Sequence, residues 1–144
     1  MKIELIEFLK LNIGKDSSEH LHGFGAWLNP KLVSISDFGD IELEFKIRED
    51  MLNPLGTIHG GALASILDEA MGMQLFIKSA DGDAFFAMNL LVDFVKSSKL
   101  NESLFAKPEM IRLGKKSANL RCTVYNTDRT IVAHGFSNFH KLNS

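Results

Sequence analysis

The sequence predicts an α+β fold in which one antiparallel sheet of about six strands curls around a single long helix, with a short helix ahead of it. Three observations carry this. First, residues 62–77 are almost entirely apolar or good helix formers, from Ala62 through Leu67 and Met71 to Ile77. A helix apolar on all sides is buried, and this one is too short to span a bilayer. Second, Ile41, Leu43, Phe45 and Ile47 alternate with Glu42, Glu44, Lys46 and Arg48, the signature of a strand with one wet face. Third, four further strand-like segments follow the helix through short turns, which is how antiparallel neighbours are joined.

Taken in order, Ile3, Ile6, Leu9 and Ile13 recur at helical spacing, so residues 2–12 form an amphipathic helix that stops near Gly14. Residues 15–31 are polar, then glycine-rich, with Trp27 and Pro30, and read mostly as loop. Residues 32–38 read as a strand, Gly39-Asp40 as a tight turn, and 41–48 as the alternating strand. The long helix runs to about Ser79, and Asp81-Gly82-Asp83 turns the chain. Residues 84–95 are so continuously apolar that both faces of this strand need cover; the helix supplies one, and a partner subunit or a neighbouring element must supply the other. Residues 104–113 form a strand in which Pro108 implies an edge or a bulge. Residues 117–125 alternate Ala118, Leu120, Cys122 and Val124 with polar residues, and residues 130–139 close the sheet. The 144 residues suit one domain, an N-terminal helix and loop over 1–31 and a core over 32–140.

Composition narrows the function. Apolar residues make up 45% of the chain, enough for a real core, and the net charge of −2 gives no electrostatic support to a nucleic-acid partner. The one cysteine, Cys122, cannot form an internal disulfide and fits a reducing compartment. Lys2, Glu4, Glu7 and Lys10 interrupt the N-terminal apolar residues, so these do not read as a signal peptide. A soluble, cytoplasmic protein with no membrane partner is expected. No Cys or carboxylate accompanies His20, His22, His134 or His140 at ligand spacing, so no metal is expected; nor is there a G-x-S-x-G elbow for a serine nucleophile.

The chemistry concentrates at the entry to the long helix. Asn53, Pro54 and Gly56 favour a turn, and His59, Gly60 and Gly61 follow without a Ser, Thr or Asp at the cap position. The first N–H groups of a helix lack intrahelical partners and carry the positive end of the macrodipole. Glycine lets a ligand oxygen approach them, so this tip suits a carbonyl that gains negative charge under attack. Asp68 follows eight residues after Gly60, roughly 12 Å along the axis. A carboxylate within a buried helix is costly unless paired, hydrated or used, and Ser65 is a candidate partner. An acid so far from the tip serves a carbonyl held there only with difficulty; a tip from one copy and an acid from another resolve the mismatch. Glu69, about 100° further round, reads as a charge at a pocket rim or subunit interface.

The pattern N-x-x-G-x-x-H-G-G over Asn53, Gly56, His59, Gly60 and Gly61, with Asp68 nine residues after the histidine, resembles the hotdog-fold thioesterases of the PaaI-like, acyl-CoA thioesterase 13-like branch. The resemblance covers residues 32–140 in element order, and no motif in residues 1–30. It implies the hotdog fold and hydrolysis of an acyl- or aryl-CoA thioester by a homodimer or dimer of dimers, with coenzyme A as part of the substrate and no further cofactor. It implies Asp68 as base or nucleophile, Gly60 as oxyanion donor with Gly61 beside it, and Asn53 holding water or carbonyl. His59 either caps the helix or orients the carbonyl. Related enzymes often carry Ser or Thr on the strand after the helix; here Ala87, Met88 and Asn89 stand there, with Asn89 the candidate substitute. Lys96, Lys99, Arg112, Lys115 and Lys116 are ordinary surface charge or contacts to coenzyme A phosphates. Met71, Met73, Phe76, Phe85, Phe86 and Met88 suggest an apolar acyl or aryl pocket, though most suit a core equally. The alternatives are a non-catalytic acyl-CoA-binding module and, more distantly, an enoyl-thioester hydratase or dehydratase.

Overall fold

The computed structural model describes residues 2–142. Helix α1 (Ile3–Lys10) and a short helix α2 (Gly23–Leu28) precede β1 (Lys31–Ile35) and β2 (Ile41–Lys46). A 3₁₀ turn (Glu49–Met51) leads to the long helix α3 (Gly60–Lys78). Then come β3 (Phe85–Ala87), β4 (Leu91–Phe94), β5 (Ser103–Leu113), β6 (Ser117–Tyr125) and β7 (Ile131–Lys141). The strands form one antiparallel seven-stranded sheet in the order β1-β2-β5-β6-β7, with β3 and β4 both paired to the outer side of β7. Helix α3 lies across β5, β6 and β7, so the sheet curls around it in the hotdog arrangement.

Period-two alternation builds the concave face. Leu43 and Phe45 of β2, Leu104 and Ala106 of β5, and Leu120, Cys122 and Val124 of β6 are all buried. They meet Leu63, Ile66, Leu67, Ala70, Met71 and Leu75 of α3, and each large side chain so buried stabilises the fold by about 1.5–3 kcal/mol. One polar residue belongs to this core. Gln74 is fully buried; its Nε2 donates to the Gly39 carbonyl at 2.6 Å, and its Oε1 accepts from the Ile41 N–H at 3.1 Å. It thereby ties α3 to the β1–β2 turn and satisfies two backbone groups that the turn leaves without ladder partners.

The structure departs from expectation in two places. The apolar run over 84–95 is two strands, which raises the count to seven. Asn89 interrupts it: its Oδ1 accepts the Asn138 N–H at 2.9 Å, and its carbonyl accepts the Ser137 hydroxyl at 2.8 Å. A side chain thus replaces a rung of the ladder at the break. Within this chain one face of the run stays open, with Met88 62%, Leu91 63% and Phe94 57% exposed, which leaves the cover to a partner subunit as the sequence reading allows. Residues 15–31 also contain α2, which neither Gly23 nor Gly25 would favour in isolation. It is anchored by the fully buried Leu28 and stopped by Asn29 in a left-handed conformation. Pro108 stands as expected, at an edge: β2 pairs with β5 only as far as Ala106, so the side where Pro108 lacks an N–H has no partner strand.

Candidate active site

The entry to α3 is a strapped loop. Asn53 Oδ1 accepts from the N–H groups of Leu55 (3.0 Å) and Thr57 (3.2 Å), and its Nδ2 donates to Thr57 Oγ1 at 2.9 Å. Gly56 completes the turn at φ +77°. The following residues are held to the segment after β4, since the Ile58 N–H donates to the Ser98 carbonyl at 2.8 Å. His59 caps the helix: its Nδ1 accepts the Gly61 N–H at 2.8 Å. As an acceptor that nitrogen carries no proton, so the neutral ring presents Nε2–H as a donor. The cap thus occupies the N–H of Gly61, one of the residues expected to bind substrate. The Gly60 N–H has no hydrogen-bond partner among the described residues. Gly60 lines an open cleft of about 300 Å³ with Asn53, Phe94, Lys96 and Ser97. A Cβ on Gly60 would come 3.4 Å from the Phe94 ring, so glycine leaves the space over this donor open.

Asp68 faces a different space. With Glu69, Gly72 and Phe76 it lines a groove of about 500 Å³ on the flank of α3. Its suggested partner is engaged elsewhere, because the Ser65 hydroxyl donates to the Gly61 carbonyl at 2.7 Å. No ion pair or hydrogen bond to the Asp68 carboxylate occurs among the described residues. Desolvation raises its pKa above the ordinary aspartate value. Glu69 is raised as well, first by desolvation and then by the charge of Asp68. Two adjacent carboxylates line this one groove, and each takes up a proton more readily than a fully solvated carboxylate.

The chain therefore gathers Gly60, Asn53 and Lys96 at one cleft and places Asp68 with Glu69 at another. Asn89 lines neither: its Oδ1 accepts from the N–H and the side-chain amide of Asn138. Lys115 and Lys116 are exposed in the β5–β6 hairpin and line neither cavity.

Residues 55–133 match the family model described as the thioesterase superfamily. The chain belongs to that family. The human acyl-coenzyme A thioesterase 13 is 26% identical over 80 residues, which span 56% of each chain, just over half the length of that relative. The mouse protein of the same description is 26% identical over 93 residues, 64% of this chain and 66% of its own. Among solved structures, the Escherichia coli PaaI protein of the phenylacetic acid degradation operon superposes with a TM-score of 0.80 at 19% identity, covering 99% of this chain and 98% of that one. A Bacillus halodurans protein solved with CoA gives 0.71 at 27% identity over 82% and 76%. The hotdog fold and the class of thioester hydrolase, both expected from the helix-entry motif, agree with this membership. No helix among the described residues is long and apolar enough to cross a membrane.

Some of this family member's cavity-lining residues carry no motif. Phe94 and Ser97 reach the Gly60 cleft only because β4 pairs with β7. Gly72 and Phe76 were legible in principle, since they follow Asp68 at successive steps of four on one helix face. Of the six side chains suggested for an acyl pocket, Met73, Phe76 and Phe85 stand beside Asp68; Met71 is core, and Phe86 and Met88 are exposed outside the groove.

Proposed function

We propose that this thioesterase-superfamily chain hydrolyses acyl-CoA thioesters at sites shared between two copies of itself. The observation that carries the reading is the separation of its two chemical groups. The free Gly60 N–H and the unpaired Asp68 carboxylate lie on one rigid helix, roughly 12 Å apart, and open into different cavities. A tip from one protomer and an acid from the other bring them to one carbonyl. The apolar β3–β4 edge supports such a pairing: Leu91, Phe94 and Val95 are more than half exposed on a strand that is otherwise the open end of the sheet. The solved relative holding CoA supports the substrate class.

In this reading the Gly60 N–H donates to the thioester carbonyl oxygen, with His59 Nε2–H as a second donor. Asp68 of the other copy takes a proton from water as the water oxygen bonds to the carbonyl carbon. The tetrahedral oxyanion then collapses, the C–S bond breaks, and CoA leaves as the thiolate. Direct attack by Asp68, giving a mixed anhydride that water hydrolyses, satisfies the same geometry. Lys96, at the rim of the Gly60 cleft, is positioned for a phosphate of coenzyme A. The engagement of Asn89 favours a second reading, an acyl-CoA-binding module with little turnover. A panel of acyl-CoA thioesters with a thiol-detecting reagent separates the two. Release of CoA that falls with Asp68→Ala supports the enzyme, whereas binding without release from any thioester ends it.

A further inference from the structure

Helix α1 lies over a hollow. A cavity of about 110 Å³ sits between α1 and the loop after it on one side and the sheet and α3 on the other. Leu9 and Leu21 wall the first side, and Leu32, Ile41, Leu43 and Ile77 wall the second. It is a space apart from the groove beside Asp68, since neither Asp68 nor Glu69 lines it. Polar groups at its rim are turned to partners in the chain. The Ser17 hydroxyl donates to the Pro30 carbonyl at 2.6 Å, Asn12 Nδ2 donates to the Phe8 carbonyl at 2.7 Å, and Asp16 Oδ1 accepts the Ser18 N–H at 2.9 Å. A buried water needs two to four polar partners, so this cavity is a poor site for one. The helix above it is thinly held. Of the eight residues of α1, Ile6 alone is buried. Its two ends are pinned by surface lysines: Lys2 Nζ donates to the Phe76 carbonyl at 2.6 Å, and Lys10 Nζ pairs with Asp37 at 2.6 Å. Contacts of that kind at the surface contribute little.

We infer that this cavity is a binding site for one small, uncharged, apolar molecule, and that its occupant fastens α1 and residues 12–21 to the sheet. The site is independent of the proposed hydrolysis. Size and walls fix the class of ligand. The volume is somewhat below the roughly 150 Å³ in which a cavity lined by Leu, Ile and Phe binds benzene or xenon, which limits the occupant to about five or six heavy atoms. A long chain does not fit. An ion would lose its hydration against these walls, and Lys15 and Asp16 at the rim offer one charge of each sign, favouring neither. The consequence for α1 follows from where the walls come from. A molecule that touches Leu9 and Leu21 on one side and Leu32 and Leu43 on the other adds dispersion contacts between segments that now meet across a gap.

The test titrates benzene into the full chain carrying labelled Leu and Ile methyl groups, and measures amide hydrogen exchange with and without it. The expected result is saturable shifts at the Leu32 and Leu43 methyls. With benzene at about three times its Kd, exchange over residues 3–10 should slow by about fourfold, the factor 1 + [L]/Kd. Leu32 lines the cavity and not the Asp68 groove, so two changes there probe the site from opposite sides. Leu32→Phe fills the space and should abolish the benzene shifts. Leu32→Ala enlarges it and should bind p-xylene about tenfold more tightly than the wild-type chain does, for the two extra methyl groups it can bury; this keeps the test intact if Leu32→Phe does not fold. No saturable shifts in the wild-type chain, shifts confined to the Asp68 groove, or binding that leaves exchange over α1 unchanged would each overturn the inference. So would benzene binding that survives in folded Leu32→Phe, or equal p-xylene affinity in Leu32→Ala and wild type. None of these readings uses turnover, so the outcome of the acyl-CoA panel does not bear on them.

Discussion

One face of α3 carries Leu63, Ile66, Leu67, Ala70, Met71 and Gln74, all buried against the sheet; the other carries Gly61, Asp68, Gly72 and Phe76, all at least partly open. The first face obeys packing. Its residues are large, apolar and in contact, and its one polar side chain has both ends hydrogen-bonded. The second face breaks the rules of a stable helix in three ways within three turns, with an unpaired carboxylate, a mid-helix glycine and an exposed phenylalanine. The contrast between the two faces is what the proposed function draws on, since departures from local consistency are expected where a chain is used.

That contrast can be broken experimentally. The largest effect is expected for Asp68→Ala, which should lower kcat/KM on acyl-CoA thioesters by about 10²–10⁴ while the thermal transition stays cooperative. Mixed dimers sharpen this: Asp68→Ala co-expressed with Gly60→Val, whose branched side chain would meet Phe94, should recover activity that neither variant has alone. No recovery in verified mixed dimers would place both groups in one protomer. On the buried face, Leu67→Ala should cost about 2–5 kcal/mol in denaturant unfolding, the usual range for a core leucine. Gln74→Ala should cost about 1–3 kcal/mol for each backbone group it strands, the Gly39 carbonyl and the Ile41 N–H. Gly72→Ala should do the opposite, stabilising the chain by about 0.5–1 kcal/mol; a loss of stability there would mean the open face is packed after all.

The smallest effect distinguishes the two faces by pH. Asp68 has a raised pKa in the folded chain, so the folded state binds its proton more tightly than the unfolded one. Stability therefore falls as pH rises from the ordinary carboxylate range through the raised value, and Asp68→Asn should flatten that slope. Activity should move the other way, rising as Asp68 loses its proton. A melting series and a kcat/KM profile over the same acidic window should therefore slope in opposite directions.

The local code was legible because it is local. The Asn53 turn, the glycine entry to α3, the alternation of β2 and β6 and the hairpin connections depend on residues a few positions apart, and each stands where spacing put it. The offset between Gly60 and Asp68 was likewise measurable from the sequence, because a helix has a fixed rise. Tertiary structure alone decided the rest. Asn89 splits an apolar run because Asn138, far along the chain, takes its side chain as a ladder partner. Helix α2 exists because Leu28 finds a core site. The groove beside Asp68 has walls drawn from α1, the loop before α2, α3, β3 and β7. Periodicity shows which residues of an element share a face; only non-local pairing determines what that face meets.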